Sequence, residues 1–284
     1  MWQVVERRGS AGALHETWPD RSERASRTVA FSEVTNEALV IGSMQPLASR
    51  QPDPPAALRQ SRRCGCARST LASRQPDPPA ASSMSREERS TDGTLAGTHA
   101  MPAAIPAGTK CPLEVVRRRS GGGAVYVAPG QQLWVDMWIP RDDPLFEEDV
   151  LRTSIVAGRV WAGALEQLGV SRIDIHDGRV MLGQWGALAC FASLGPGEVL
   201  TDGRKSVGIS QRRDRDGAWL QTMLPLVWDP AYWVPNLTCV GMRQDDSKAL
   251  EQWLMDNVAG HIDISLGSIA RNVLMDVIIS HLPL

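Results

Sequence analysis

Three consecutive arginines lead into a glycine-rich loop, in the order Arg117-Arg118-Arg119-Ser120-Gly121-Gly122-Gly123. Glycine has no Cβ, so the backbone of such a loop can approach a ligand closely and can adopt positive φ angles. Successive backbone N–H groups can then hold an anion, and arginine adds bidentate donors for a carboxylate or a phosphate. The same residues are also compatible with a flexible turn behind a solvated charge run. Their spacing matches neither a P-loop nor a dinucleotide-binding fingerprint.

A second candidate is the lysine in Asp202-Gly203-Arg204-Lys205-Ser206-Val207-Gly208. Only three of the 30 basic residues are lysines, so a lysine inside a motif is informative here. The Asp-Gly pair favours a tight turn that would place Lys205 at the start of the next strand. Its ammonium could stabilise a developing oxyanion or neutralise a carboxylate or phosphate. An exposed lysine at an ordinary hairpin tip is the alternative.

The third candidate is Cys190, in the segment ALACFASLGPGE. A thiolate can act as an acyl-transfer nucleophile when a positive or polar setting lowers its pKa, but cysteine is also a common core residue. The GxSxG and HExxH patterns are absent, and the five histidines are scattered along the chain. Cys64-Gly-Cys66 has no further ligands at suitable spacing, so the sequence predicts no metal site.

The three segments occur in an order that resembles the lipoate–protein ligase A family of the biotinyl/lipoyl protein ligase superfamily. They are ALVIGSMQP, with an IG-x-x-Q turn, VVRRRSGGGAVY, with an RRxSGGGAV loop, and DGRKSVGISQRR, with a GRK-x-x-G segment. The resemblance covers about 29–46 and 101–230. It implies an α+β fold with a catalytic core around a mixed, mostly antiparallel sheet and flanking helices. It also implies that a lipoyl or octanoyl group is joined by an amide bond to a lysine of a lipoyl carrier domain.

The resemblance also implies roles for individual residues. Lys205 would contact the carbonyl of the activated acyl group, and Cys190 would be a second catalytic residue. An apolar tunnel would bury the acyl tail, at about 0.8 kcal/mol per methylene. The residues implied for acyl or adenylate binding are Arg118, Ser120, Gly121, Gly122, Gly123, Gly203 and Gly208.

Two reaction types remain open within this resemblance. A ligase would activate lipoate with ATP and Mg²⁺ and pass through lipoyl-adenylate. An octanoyltransferase would take the octanoyl group from acyl carrier protein through a Cys190 thioester and would need no cofactor. Cys190-Phe191, which precedes Lys205 by 15 residues, resembles the Cys-Phe of the cysteine-dependent octanoyltransferase branch. An inactive lipoyl-domain-binding module is a third interpretation, and a biotin-transferring relative is disfavoured because a GRGRxG-type loop is absent.

Composition limits the partners. With 284 residues and a formal net charge of −2, the chain has no overall basic field for nucleic acid. It contains no run of about 18 apolar residues, and it lacks the apolar stretch of a secretory signal at its start. Five scattered cysteines then suggest reduced thiols and a cytoplasmic protein. The resemblance to the ligase family implies the partners, which are lipoyl carrier domains of 2-oxoacid dehydrogenase E2 and of the glycine cleavage H protein, and acyl carrier protein for a transferase.

The local patterns predict the elements that would position these residues. They favour strands at 38–41 and 133–139, the second joined by a hairpin at Ala128-Pro129-Gly130 to the strand before it. The spacing of apolar residues predicts a helix within 144–169, and residues 246–257 and 264–282 also read as helical. Further strand-like runs are SRIDIH, GRVMLG, ALACFAS, EVLTD, SVGISQ and WLQTMLPLVW.

The same pass divides the chain into four parts. Residues 1–28 are polar and predict a disordered tail. Residues 47–100 predict a low-complexity insertion, in which LASRQPDPPAA occurs twice, at 47–57 and 71–81. The catalytic domain would comprise 29–46 and 101–240, and 241–284 would form a C-terminal helical segment.

Overall fold

A computed structural model describes residues 1–17, 23–47, 111–259 and 271–284 of the chain. All of them belong to one compact unit. The strands in these residues are β1 (Gln3–Gly9), β2 (Thr28–Val34), β3 (Ala38–Ile41), β4 (Glu114–Arg117), β5 (Val125–Val127), β6 (Gln132–Pro140), β7 (Ile173–Ile175), β8 (Val199–Thr201), β9 (Arg204–Arg213) and β10 (Gly217–Pro225). The helices are α1 (Ala11–Thr17), α2 (Val150–Gln167), α3 (Pro230–Trp233), α4 (Ser247–Asn257) and α5 (Arg271–Ser280).

The strands form two sheets. The larger has seven strands in the order β1-β2-β6-β10-β9-β8-β7, and the smaller has the order β4-β3-β5. The β1–β2 and β3–β4 pairs are parallel, whereas the other pairs are antiparallel. The prediction of an α+β fold around a mixed, mostly antiparallel sheet is confirmed.

Strand β6 lies inside the large sheet, between β2 and β10, and all nine of its residues are buried. Alternate side chains point to opposite faces of a strand, as the period of two in this segment predicts. Leu133, Val135, Met137 and Ile139 pack with α2 and α5 in the largest apolar cluster, whereas Trp134 and Trp138 belong to separate clusters. The strand is therefore covered on both faces.

Helix α2 covers one face of the large sheet, within the range predicted for it. It begins after Asp149, whose side chain accepts a hydrogen bond from Leu151 N at 2.8 Å and caps the first turn. It ends before Gly169, where φ is +87°. Glycine is favoured at this position because it reaches the left-handed region without a Cβ clash.

The predicted disordered tail is wrong for much of its length. Residues 3–9 form β1, which pairs in parallel with β2 over seven residues, and α1 follows it. The side chains of β1 are only partly buried, so its sequence has no strong apolar pattern. Pairing with the apolar strand β2 supplies the order that the local sequence does not indicate.

The predicted hairpin at 128–130 is also wrong. Strands β5 and β6 flank this turn, but β5 pairs with β3 while β6 pairs with β2 and β10. The turn therefore carries the chain from the small sheet to the large one. The runs 178–183 and 187–193 are not strands either, since backbone contacts there are isolated bridges and a 3-10 turn at Cys190–Ala192.

Some predictions lie outside the described residues. They concern almost all of the low-complexity insertion with its repeat, Cys64-Gly-Cys66, and part of the predicted helix over 264–282. Helices α4 and α5 lie within the segment 241–284. Among the helices that the structure describes, none is both long and apolar enough to cross a membrane.

Candidate active site

The glycine loop after β4 lies against the turn that follows β3. Ser43 N donates a hydrogen bond to Ser120 O at 3.0 Å. A Cβ on Gly42 would lie only 1.9 Å from Gly122 O, so the close approach of the two backbones requires glycine at this position. The IG-x-x-Q turn and the RRRSGGG loop thus form one backbone structure.

The glutamine of the IG-x-x-Q turn joins this structure to the segment before Cys190. Gln45 is buried, and its Oε1 accepts a hydrogen bond from Gly42 N at 3.0 Å. Its Nε2 donates to Ala187 O at 2.9 Å and to Leu188 O at 3.1 Å. One side chain therefore fixes the distance between the glycine loop and the cysteine segment.

Arg118 points into the glycine loop and is 4% exposed. Its Nε and Nη2 donate to Gly121 O, at 3.1 and 2.7 Å, and Nη2 also donates to Gly123 O at 2.8 Å. No carboxylate among the described residues forms an ion pair with it. The guanidinium is a buried positive charge with carbonyl partners only, which makes its surroundings favourable for an anion.

The end of the glycine loop lies directly on the Cys190 segment. Ala124 N donates to Leu188 O at 2.9 Å, and Cys190 N donates to Ala124 O at 2.8 Å. A Cβ on Gly123 would lie 2.6 Å from the carbonyl carbon of Ala189, and one on Gly122 would lie 3.9 Å from Cys190 Sγ. The thiol therefore lies beside the loop that Arg118 holds.

Lys205 is the second residue of β9 and follows a turn at Asp202 and Gly203, both with positive φ. The predicted Asp-Gly turn is confirmed, but the lysine is 4% exposed rather than lying at an exposed hairpin tip. Its Nζ donates to Glu198 Oε2 at 2.7 Å, to Ser193 O at 2.8 Å and to Cys190 O at 2.9 Å. These three acceptors match the three donors of an ammonium.

Glu198 is itself held in place from two sides. Its Oε2 accepts a hydrogen bond from Gly195 N at 2.7 Å, and its Oε1 accepts one from Ile209 N at 3.0 Å. The carboxylate is 3% exposed, so the ion pair with Lys205 is buried on both sides. A buried pair of this kind positions the lysine accurately under the carbonyl of Cys190.

A first cavity of about 50 Å³ lies between the two sheets and the Cys190 segment. Arg118, Cys190 and Gly208 all line it. Most of the remaining wall is apolar, namely Val40, Val125, Val127, Trp134, Phe191, Ile209 and Met223. An apolar wall with a buried cation at one point suits a ligand that has an apolar chain and an anionic end.

Polar side chains complete the wall near Arg118. Ser120 Oγ donates to Gln221 Oε1 at 3.0 Å and lies 3.1 Å from Ser210 Oγ. Gln221 Nε2 lies 3.2 Å from His15 Nδ1. Helix α1 thus contributes His15 to the cavity wall, beside Gln221 of β10.

Two titratable groups have unusual pKa values, namely His15 in this wall and Asp136 behind Trp134. Burial, with a further contribution from the positive charge of Arg118, lowers the pKa of His15 to about 3. Burial also raises the pKa of Asp136 to about 8, although Trp134 Nε1 donates to its Oδ1 at 2.7 Å. His15 is therefore neutral near pH 7, and its ring packs 4.6 Å from that of Trp134.

The structure brings most of the predicted site residues together. The first cavity is lined by three of them, and Gly122 and Gly123 lie beside Cys190. Ser120 reaches the cavity wall through Gln221, and Gly121 supplies a carbonyl to Arg118. Lys205 lies behind Cys190 and does not line this cavity, and Gly203 lies in the turn before it.

Sequence reasoning did not identify His15, Glu198 or Gln221. His15 lies in the segment predicted to be disordered. Gln221 lies in β10, for which the sequence predicted a strand but no functional residue. Glu198 precedes Lys205 by seven residues in the chain, and only the pairing of β8 with β9 brings the two together. The position of an acidic residue directly before the strand that leads into the Asp-Gly turn is the one sequence signal that could have indicated Glu198.

The sequence model of the family "Lipoyl protein ligase A/B catalytic domain" matches residues 96–262. No curated protein sequence is significantly similar to the chain.

Several solved structures share its fold. The bi-partite lipoate protein ligase of Thermoplasma acidophilum, described together with its E2 lipoyl domain, has a TM-score of 0.54 at 12% identity, covering 99% of this chain and 82% of that one. Protein Ta0514 of T. acidophilum, described as a candidate lipoate protein ligase and solved with bound lipoic acid, has a TM-score of 0.53 at 10% identity, covering 99% and 84%. A lipoate-protein ligase A bound with ATP has a TM-score of 0.52 at 11% identity, covering 99% and 82%. At these identities the similarity concerns the fold alone.

Proposed function

The chain belongs to the lipoyl protein ligase A/B catalytic domain family, whose model matches more than half of it, and from this premise we propose that it is a lipoate–protein ligase. It would attach a lipoyl or octanoyl group in amide linkage to a lysine of a lipoyl carrier domain. In the first step the acyl carboxylate attacks the α-phosphorus of ATP and releases pyrophosphate. In the second, the lysine amine attacks the acyl carbonyl, loses a proton and releases AMP.

The observation that supports this proposal most directly is the position of Arg118. It is a buried cation that lines an apolar cavity and has no carboxylate partner among the described residues. A fatty-acid carboxylate, or the phosphate of the adenylate formed from it, would supply the missing negative charge. The apolar wall would bury the acyl chain.

The glycine loop would act on the same groups. Gly122 and Gly123 allow the backbone to lie within contact of the Cys190 segment, and a ligand there would meet backbone rather than side chains. Mg²⁺ would enter with the nucleotide, because this ion is usually bound through phosphate oxygens and water with one or two carboxylates. Described residues offer no group of three or more metal-ligating side chains.

Lys205 would stabilise the negative charge that develops on the acyl carbonyl oxygen during attack. Its three hydrogen bonds go to Glu198 and to the carbonyls of Cys190 and Ser193. To reach the substrate, Lys205 Nζ would therefore give up its hydrogen bond to one peptide carbonyl and donate to the acyl carbonyl instead. That exchange conserves the number of hydrogen bonds and leaves the ion pair with Glu198 in place.

A second candidate function is favoured by the position of Cys190. Its side chain lines the cavity and lies beside Gly122. In an octanoyltransferase, its thiolate would attack the thioester of octanoyl acyl carrier protein and release the carrier thiolate, which takes up a proton. The lysine amine would then attack the Cys190 thioester, lose a proton and release the Cys190 thiolate.

Intact-mass spectrometry of an apo lipoyl domain of 2-oxoacid dehydrogenase E2 separates these functions. The domain is incubated with the protein and either lipoate plus Mg-ATP or octanoyl acyl carrier protein without ATP. We expect a mass gain only with ATP that persists in Cys190→Ser and is strongly reduced in Arg118→Gln. Arg159→Gln, on the solvent-exposed side of α2, is the matched control.

The other results each have a defined meaning. A gain from octanoyl acyl carrier protein that disappears in Cys190→Ser would replace the ligase by the transferase. Binding of the lipoyl domain without any mass gain in either mixture would contradict both enzymes and identify a binding module. Lys205→Ala is tested for folding by circular dichroism before its activity is interpreted, because it leaves Glu198 buried without a counter-charge.

A further inference from the structure

A second cavity, of about 300 Å³, lies between Glu37, the end of β10 and helix α3. Four aromatic side chains line it: Tyr126, Trp228, Tyr232 and Trp233. The rings of Tyr126 and Tyr232 pack edge to face at 5.7 Å, and those of Trp228 and Trp233 do so at 5.8 Å. The cavity therefore has firm aromatic walls.

The charge of this cavity is negative. Its lining includes the carboxylates of Glu37 and Asp229 and no arginine, lysine or histidine. Neither carboxylate forms an ion pair with another described residue. Tyr232 Oη donates a hydrogen bond to Glu37 Oε2 at 2.8 Å, which holds the carboxylate against the aromatic wall.

This combination of groups selects one class of ligand. Aromatic faces attract cations through the ring quadrupole, and a carboxylate strengthens the attraction by a charge-assisted hydrogen bond. An anion would be repelled. A calcium ion takes about six to eight oxygen ligands, more than two separate carboxylates provide, and the described residues contain no group of three or more metal-ligating side chains. A primary ammonium on an alkyl chain fits, because its apolar stem can lie along Met223 and Val227 while its charge meets the carboxylates.

The wall also contains a polar atom that points to a polypeptide rather than a free amine. Trp228 Nε1 is buried and has no hydrogen-bond partner within the described part of the chain. It can donate a hydrogen bond, so it would be satisfied by an acceptor such as a peptide carbonyl. A lysine residue carries an alkylammonium and a peptide carbonyl together, whereas an alkylamine lacks the carbonyl.

The second cavity adjoins the first. Met223 lines both, and Phe191, which lines the first, packs 5.2 Å from Trp228 of the second. The side chain of Met223 would therefore separate a side chain bound in the second cavity from the first cavity, which Arg118 and Cys190 line.

We propose that the second cavity binds the lysine side chain, in its ammonium form, of the protein that accepts the acyl group. This inference rests on the function proposed above, in which a lysine of a carrier domain is the acyl acceptor. The role is binding, and no covalent step is assigned to Glu37 or Asp229. Aromatic rings would hold the stem, and the two carboxylates would select the charged end.

The test compares two double variants of the full chain. Glu37→Gln with Asp229→Asn removes both charges from the cavity. Glu166→Gln with Asp174→Asn removes two charges from exposed positions on α2 and β7 and serves as the matched control. One measurement is binding of n-butylammonium by ligand-observed NMR, and the other is the KM of acyl transfer for the apo E2 lipoyl domain.

We expect the cavity variant to bind n-butylammonium about tenfold more weakly than wild type and to raise the KM for the lipoyl domain by a similar factor. The control should match wild type in both measurements. Equal n-butylammonium binding by all three proteins would overturn the proposal. Weaker amine binding with an unchanged KM would overturn the lysine assignment and identify a site for free amines.

Failure of the proposed function gives a different result. If wild type transfers no acyl group, the lysine assignment is decided by calorimetric binding of the apo lipoyl domain and of the same domain with its acceptor lysine replaced by alanine. Weaker binding of the alanine domain by wild type, but not by the cavity variant, would support the cavity. Equal binding of both domains by wild type would contradict it.

Discussion

Two buried cations lie on either side of Cys190, and they differ in the groups that neutralise them. Arg118 donates only to carbonyl oxygens of its own loop. Lys205 donates to two carbonyl oxygens and also forms an ion pair with Glu198. Both are 4% exposed, so the difference does not arise from burial.

The surroundings of the two cations reflect this difference. The positive charge of Arg118 contributes to the low pKa of His15, which shows that its field reaches the wall of the first cavity. The charge of Lys205 is balanced by a carboxylate 2.7 Å away. An arginine with a free charge suits anion recognition, whereas a paired lysine suits precise placement of a donor. Anion binding and transition-state stabilisation would then belong to different cations.

The largest expected effect on stability comes from removing Glu198, the carboxylate that pairs with Lys205 but has no counterpart at Arg118. Glu198→Gln would leave Lys205 buried without a counter-charge, and breaking a buried pair costs about 3–5 kcal/mol. We expect the free energy of unfolding, measured by urea denaturation, to fall by that amount. Glu148→Gln is the control, since Glu148 pairs with Arg141 at an exposed site and should change stability by less than about 1 kcal/mol. Equal losses of unfolding free energy in Glu198→Gln and Glu148→Gln would contradict the difference between the buried and the exposed ion pair.

The next effect tests the loop that holds Arg118. Gly123→Ala would place a Cβ within 2.6–2.8 Å of the backbone at Ala189 and Cys190, which forces the loop away from the cysteine segment. Such overpacking costs about 1–3 kcal/mol, and we expect acyl transfer to fall with it. Gly121→Ala meets no atom within 4 Å and should be nearly neutral in stability. Thermal unfolding of the two variants would show whether stability is lost through the clash with the cysteine segment or through the loss of glycine itself.

The burial of His15, with a smaller contribution from the charge of Arg118, predicts a pH dependence of stability. Because the pKa of His15 is about 3 in the folded chain and about 6.5 when unfolded, the unfolded state binds the proton first as pH falls. Stability from this group is complete above pH 6.5 and is lost between pH 6.5 and 3, by at most about 1.4 kcal/mol per pH unit. His15→Gln should lose this slope.

Asp136 acts in the opposite direction over part of this range. Its raised pKa of about 8 means that the folded chain holds a proton which the unfolded chain releases above pH 3.8, so its contribution is lost as pH rises towards 8. We therefore compare the change in unfolding free energy between pH 5 and pH 7 for wild type and for His15→Gln, measured by urea denaturation. An identical pH dependence in the two would contradict the assignment to His15.

The smallest effect concerns the turn before Lys205. Gly203 has φ +71°, and a non-glycine residue there costs about 1 kcal/mol. A Cβ would meet no atom within 4 Å, so Gly203→Ala should shift the melting temperature by only a few degrees. Gly203→Asn should lose less, because asparagine tolerates this region. A loss much larger than this in Gly203→Ala would mean that the turn also controls the position of Lys205.

The sequence predicted these parts of the site to different extents. The glycine loop and the Asp-Gly turn are encoded by consecutive residues, so their existence and order were predictable. The alternation in β6 and the spacing in α2 likewise gave the right elements. The roles predicted for Arg118, Cys190 and Lys205 stay predictions, because residue type and proximity do not establish a reaction.

What failed depended on contacts between distant segments. The turn at 128–130 has a hairpin sequence, but only pairing partners on other strands decide that β5 and β6 belong to different sheets. Strand β1 was missed because its polar side chains suit an edge position, where order comes from the neighbouring strand. The Glu198–Lys205 pair requires the register of β8 against β9, which residue types alone do not specify.

The edge position of β1 has a consequence for association between copies of the chain. An exposed edge strand offers unpaired N–H and C=O groups to another strand, and charged side chains reduce that risk. Strand β1 carries Glu6, Arg7 and Arg8 in succession, and the opposite edge, β7, has only three residues with Asp174 at its centre. Replacing the charges of β1 with apolar residues would turn a closed edge into a site for intermolecular strand addition.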